Sequence, residues 1–160
     1  MKTISVEVKT GLLNLHDAFL NAEIARREKW KSPIDQDVEK FHISDHGRFE
    51  RMWVMFLYVL VEAWESGQMA TVRAFTESVS PVGELNGLVS AGKADGSLTK
   101  MRNTRDYMCH RDRRKYWDDG RRAVYGQLEY HTKLHEAFSR VLLQRSGRLN
   151  PRLEGNAFRY

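Results

Sequence analysis

The sequence predicts an all-α protein, a bundle of four to six helices in one domain (residues 1–146) with a basic tail (147–160). Three observations predict it. Apolar residues recur at helical spacing along most of the chain. The 160 residues are 41% hydrophobic and 29% charged, enough apolar mass to close one core. Four Trp, six Tyr and seven Phe, with only three prolines, set the chain apart from disordered sequences, which lack the aromatic surface that repays ordering entropy.

The elements follow in order. Ile4, Val6 and Val8 alternate with polar residues, the pattern of a short strand or extended arm. From Leu12 to Trp30, Leu12, Leu15, Phe19, Leu20 and Ala22 keep helical spacing, and Ser32-Pro33 stops the helix, because the residue before proline avoids the α region. Ser44 to Ser66 gives the strongest signal: Phe49, Met52, Trp53, Phe56, Leu57, Leu60 and Trp64 form one stripe, and Val54, Met55, Tyr58 and Val59 cover the other side. A helix apolar all round is buried all round, at the centre of a bundle or against a second copy of the chain. Gly67 ends it. Gln68 to Ser80 and Val82 to Ser90 read as shorter helices broken at Pro81, and Ala91 to Gly96 reads as a turn. Ser97 caps the next helix, from Leu98 to near His110. A last helix is expected from Arg121 to Arg145, with Val124, Leu128, Leu134, Phe138 and Val141 on its stripe and Gly147 as C-cap.

Composition excludes several classes of function. The longest uninterrupted apolar run, Met52 to Val61, is about half of what a helix needs to cross a bilayer, so no membrane association is expected. Cys109 is the single cysteine and forms no internal disulfide. With no secretion-type leader in the opening residues, the expected location is cytoplasmic. The net charge of +5 favours polyanionic partners. Its placement is more telling: Arg102 to Arg122 carries eight Arg or Lys against four Asp, and Arg140 to Arg159 five Arg against one Glu.

The chemistry concentrates between Met101 and Asp112. On a helical wheel, Leu98, Met101, Met108 and Cys109 cluster with Arg105 in their midst. A buried arginine requires a carboxylate inside the bundle or a pocket for an anion. Arg102, Asp106 and His110 form an i, i+4, i+8 ladder, in which Asp106 is placed to accept the His110 N–H and fix its tautomer; Asn103 lies one heptad before His110. Arg, His and an orienting polar group are what metal-free RNA cleavage needs: a base for the ribose 2′-OH and a cation for the phosphorane. The structural alternative is an ion-pair network.

Arg105-Asp106-x-x-x-His110 resembles the Arg-x4-6-His motif of the HEPN (higher eukaryotes and prokaryotes nucleotide-binding) superfamily, in which Asn, Asp or His commonly follows the Arg. Arg102-Asn103 also looks like that family's Arg-Asn pair, but seven residues separate Arg102 from His110, outside the usual window. The resemblance implies an α-helical homodimer with a composite cleft and, in many members, metal-independent endoribonuclease activity in toxin–antitoxin or anti-phage defence systems. It assigns Arg105 to the phosphate, His110 to general base or acid, and Asp106 to the polar slot, with no cofactor.

Arg111, Arg113, Arg114, Lys115, Tyr116 and Trp117 interleave basic and aromatic groups after the motif and, with Arg102 and Asn103, form the expected RNA-binding surface. The competing reading is a solvated loop. His131 and His135 have zinc-like i, i+4 spacing, but Thr132 stands where a zincin has its general base, so His131 is expected as a packed, satisfied core histidine and no metal is assigned. His16, His42 and His46 are expected to cap or face solvent, and Cys109 to be an inert thiol on the apolar side. The alternative functions are a non-catalytic basic subunit holding nucleic acid in a larger assembly, and an antitoxin- or immunity-type protein binding a protein partner.

Overall fold

The computed structural model describes residues 4–34, 44–78, 81–109 and 127–143, with the backbone of residue 110. Helix α1 runs Val6–Lys31. The alternating residues expected as a strand form its first turn instead, because Ser5 Oγ accepts the Val8 N–H at 3.2 Å and Glu7 stands where the helix dipole favours an anion. The Ser32 N–H closes the helix on the Glu28 and Lys29 carbonyls just before Pro33.

Helix α2, Asp45–Glu65, is bounded by two serines. Ser44 Oγ accepts the Gly47 N–H at its start, and the Arg73 guanidinium donates to the Trp64 and Ser66 carbonyls at its end. A 3-10 turn, Gly67–Met69, leads into α3, Ala70–Glu77, and α4 spans Gly83–Ala94. The turn expected over Ala91–Gly96 shrinks to Asp95-Gly96, with Gly96 at φ +80°. Gly92 lies inside α4, where any Cβ would overlap the Tyr130 hydroxyl; it serves close packing rather than a turn.

Helix α5 spans Ser97–His110, and its cap is Asp95, whose Oδ1 accepts the Ser97 N–H at 2.8 Å. Ser97 is the first helical residue; its Oγ accepts from Gln127 Nε2 at 2.9 Å. The last described helix, α6, is Leu128–Leu143. Gln127 is not helical, so the predicted Arg121–Arg145 helix is not continuous, and Leu128 is exposed rather than on the buried stripe of Leu134, Phe138 and Val141. Val124, Gly147, the residues 111–126 and the tail 147–160 lie outside the described residues.

The described residues are all-helical, with no strand among them, and no helix of theirs is long and apolar enough to cross a membrane. Helices α1 and α2 run antiparallel: Lys29 near the end of α1 meets Glu50 near the start of α2, whereas Gly11 faces Val72 just beyond α2. Helix α5 returns antiparallel along α2, bringing Arg105 beside Glu62 and Cys109 beside Met55. Helix α6 lies across α1, α2 and α4. The core is built from Leu15, Phe19, Trp53, Leu57, Leu60, Trp64, Met101, Leu134 and Phe138, each worth about 1.5–3 kcal/mol of apolar burial for a typical large side chain. Helix α2 is buried on most of its circumference, but Met52, Met55, Phe56 and Val59 remain half-exposed.

Candidate functional site

Two polar constellations stand out. The first lies on the face shared by α2 and α5. In α5 the buried stripe is Leu98, Met101 and Thr104; Arg105 and Met108 sit at its margin, and Cys109 is exposed. Arg105 is therefore not in the middle of the stripe, and Cys109 is not a core thiol: its Sγ lies 3.9 Å from Met55 Sδ. The wheel misplaced both because burial advances along α5 by threes, tilting the stripe away from its last turn.

The Arg105 guanidinium has the carboxylate partner that a half-buried arginine requires. Its Nη2 donates to Glu62 Oε1 of α2 at 3.3 Å, and its guanidinium carbon stands 5.3 Å from the centroid of the Tyr58 ring. Its Nε is 3.0 Å from Asp106 Oδ1, an ion-pair contact without hydrogen-bond alignment. Asp106 also faces Arg102 Nε at 3.8 Å, so the Arg102–Asp106 rung of the expected ladder forms loosely. Burial, followed by the Glu62 charge, pushes the Tyr58 phenol above its ordinary value and keeps it neutral. Two cations and two carboxylates thus balance at this spot. Beside them α2, α4 and α5 enclose an open cleft of about 380 Å³, whose walls include Tyr58, Glu62, Lys93, Thr99 and Arg102.

Chain comparison adds nothing further: the chain matches no family model, no curated protein and no solved structure.

Of the residues expected at the site, Arg102, Asn103, Arg105 and Asp106 lie together on α5, with Arg102 exposed and Asn103 half-buried. The His110 side chain and Arg111, Arg113, Arg114, Lys115, Tyr116 and Trp117 lie outside the described residues. Glu62 and Tyr58 are not among the residues expected at the site; Tyr58 is expected only as part of the apolar surface of its helix. Their signal was spacing alone, since they share the side of α2 that α5 covers.

The second constellation is buried between α1, α2 and α6. Trp53 Nε1 donates to His135 Nδ1 at 3.1 Å, so the other ring nitrogen, Nε2, carries the proton in neutral His135 and donates to Glu23 Oε2 at 2.8 Å. Glu23 also accepts from Arg26 Nε at 2.9 Å and from Arg27 Nε at 2.6 Å. Burial alone would raise the Glu23 carboxyl; the hydrogen bonds from His135, Arg26 and Arg27 outweigh it and hold the group well below the usual carboxylate range. Close by, Lys29 Nζ bonds Glu50 Oε1 at 3.1 Å with both side chains buried, and stands 5.0 Å from the Trp53 ring centroid.

A cleft of about 320 Å³ opens on this network, bringing Ser139, His135 and Glu23 together in the manner of a nucleophile, base and orienting acid. The geometry does not support that chemistry. Both His135 nitrogens are already engaged, by Trp53 and Glu23, leaving none to take a proton from Ser139. The network is a structural clamp.

His131 is packed, as its stripe position implied, but not satisfied: it is fully buried, and neither ring nitrogen has a hydrogen-bond partner among the described residues. Burial, helped by the Lys29 charge, lowers it to about 4. His131 and His135 do not act as a pair, and no cluster of three or more His, Cys, Asp or Glu side chains suited to a metal forms among the described residues. His16 and His46 are buried rather than facing solvent, and His46 Nδ1 lies 3.1 Å from the carbonyl oxygen of Ser32, the residue that closes α1; His42 lies outside the described residues.

Proposed function

We propose that this chain is a HEPN-like RNA-binding protein in which the α5 motif engages the RNA backbone, and that Arg105 and His110 from two copies form a metal-independent endoribonuclease site of a defence or toxin–antitoxin system. One observation carries the reading. Arg105 stands at the margin of the core, half-buried rather than sealed inside the bundle, and pairs across helices with Glu62, a carboxylate that lines a solvent-facing cleft. An arginine so placed is suited to a phosphate, for which its planar donors are matched.

In the proposed reaction His110 removes the proton of a ribose 2′-OH, the oxygen attacks the adjacent phosphorus, and Arg105 stabilises the charge on the phosphorane. The 5′ oxygen then leaves, taking from the His110 imidazolium the proton gained in the first step, giving a 2′,3′-cyclic phosphate and a 5′-hydroxyl end and restoring neutral His110. Asp106, one helical turn before His110, is the orienting group. The half-exposed apolar residues Met52, Met55, Phe56 and Val59 on α2 supply surface for a second copy.

A second reading, a non-catalytic basic subunit that holds nucleic acid or a protein partner, is favoured by the neutralisation of Arg105 between Glu62 and Asp106. Incubation with mixed RNA in EDTA separates the two, with His110→Ala and Arg105→Ala beside the wild type and folding checked by circular dichroism. Cleavage by the wild type alone supports the nuclease. Salt-sensitive RNA retention by wild type and His110→Ala without cleavage supports the subunit, and absence of both refutes RNA as the partner.

A further inference from the structure

The contact between Glu62 and Arg105 has the character of a temporary one. At 3.3 Å it is long for a charge-assisted hydrogen bond, which in proteins is about 2.7–2.9 Å. The Glu62 side chain is 51% exposed, so solvent already reaches the carboxylate and little packing holds it. Arg105 is only 22% exposed and is fixed on its other side by the Tyr58 ring. The arginine is thus the more enclosed member of the pair and the glutamate the more exposed one. The Arg105 Nε, moreover, has no aligned acceptor among the described residues even with Asp106 close by.

We propose that Glu62 is an internal stand-in for substrate phosphate: in the free protein its carboxylate occupies the anion seat at Arg105, and it yields that seat to a phosphodiester of single-stranded RNA. This rests on the RNA-binding reading above and adds its regulation. A solvent-exposed ion pair contributes little, so a phosphodiester brought to Arg105 with neighbouring phosphates bound elsewhere displaces it readily, whereas a stray monoanion does not. Glu62 also lines the lip of the 380 Å³ cleft, together with Tyr58, Thr99 and Arg102. When it withdraws, the cleft is left beside the seated phosphate with the dimensions of a small-ligand pocket, room for the adjoining nucleoside. Glu62 therefore acts as a threshold that discriminates against small anions and short fragments.

The test is fluorescence anisotropy of a labelled, non-cleavable 2′-O-methyl oligoribonucleotide binding to the full chain at low, fixed salt. Wild type is compared with Glu62→Gln, Arg105→Ala and the double variant. Glu65→Gln is the charge control: it makes the same change in net charge one helical turn away, where Glu65 pairs with Lys93. Glu62→Gln is expected to bind about two- to tenfold more tightly than wild type, from the lost ion pair and the lost repulsion of the phosphate. The gain should vanish in the Arg105→Ala background and be smaller for Glu65→Gln.

Equal affinity of Glu62→Gln and wild type, with binding still dependent on Arg105, overturns the stand-in role and leaves the RNA-binding reading intact. A gain that persists without Arg105, or that Glu65→Gln matches, also overturns it, as a general charge effect. Binding indifferent to Arg105→Ala, or absent from every variant, refutes the underlying reading and this inference with it.

Discussion

Replacing His131 by leucine should make the protein resist acid. In the folded state the imidazole is fully buried, with no partner for either ring nitrogen among the described residues, and burial together with the Lys29 charge lowers it from 6.5 to about 4. The unfolded chain takes up that proton below about pH 6.5, whereas the folded chain refuses it until about pH 4. Stability is therefore complete at neutral pH and is lost as the pH falls through this window. At about 1.4 kcal/mol per unit, the part lost between pH 7 and pH 4.5 is about 2 kcal/mol.

His131→Leu has no proton to take up, so its stability relative to wild type should rise by about 2 kcal/mol over the same interval. Removal of two orphaned polar atoms should in addition offset the imperfect fit of leucine at pH 7, since each such atom costs about 1–3 kcal/mol. The assay is urea unfolding followed by far-ultraviolet circular dichroism, because Trp53 touches the substituted ring and its fluorescence would change for local reasons. Glu23 and His16 titrate in both proteins and cancel in the difference. Parallel stability curves for the two proteins between pH 7 and 4.5 would refute the reasoning.

Three further outcomes follow from the packing. Lys29→Met should cost about 3–5 kcal/mol by leaving Glu50 buried and unpaired, and Lys29→Met with Glu50→Leu should recover most of it; both are read by urea midpoints. Trp53→Phe keeps an aromatic ring but withdraws the donor from His135 Nδ1, for an expected loss of about 1–3 kcal/mol in the same assay. Gly92→Ala places a methyl 2.7 Å from Tyr130 Cζ and should destabilise by about 1–3 kcal/mol, a loss that pairing with Tyr130→Leu should reduce; thermal unfolding of the single and double variants measures it.

The parts of the fold legible in the sequence are those decided locally. Ser32-Pro33, Ser44 and Ser66 mark ends of α1 and α2 because a capping serine or a proline acts within a few residues. Val6 and Val8 misled, since two-residue alternation over six positions is outweighed by one capped amide. At the candidate site, Arg105 and Asp106 share a helix and could be grouped by spacing, but Glu62 is 43 positions away and reaches Arg105 only because α5 returns antiparallel along α2. The buried network left one faint mark: Glu23 follows Phe19 by four positions and Glu50 precedes Trp53 by three, so each interrupts an apolar stripe with a charge. A charge on a stripe announces a partner but not which one.

The clamp on Glu23 also has a history within each molecule, because its members are made at different times. His135 follows Glu23 by 112 positions, an interval of roughly ten seconds at ribosomal speeds of about 5–20 residues per second. Arg26 and Arg27 emerge with Glu23 on the same turn of helix and neutralise it from the outset, so the carboxylate does not wait unpaired for α6. Trp53 has no such escort: its indole donor acquires its acceptor only when α6 docks. During synthesis, then, the first two helices can pair early while their shared face stays open, and the arrival of residue 135 is the event that shuts it.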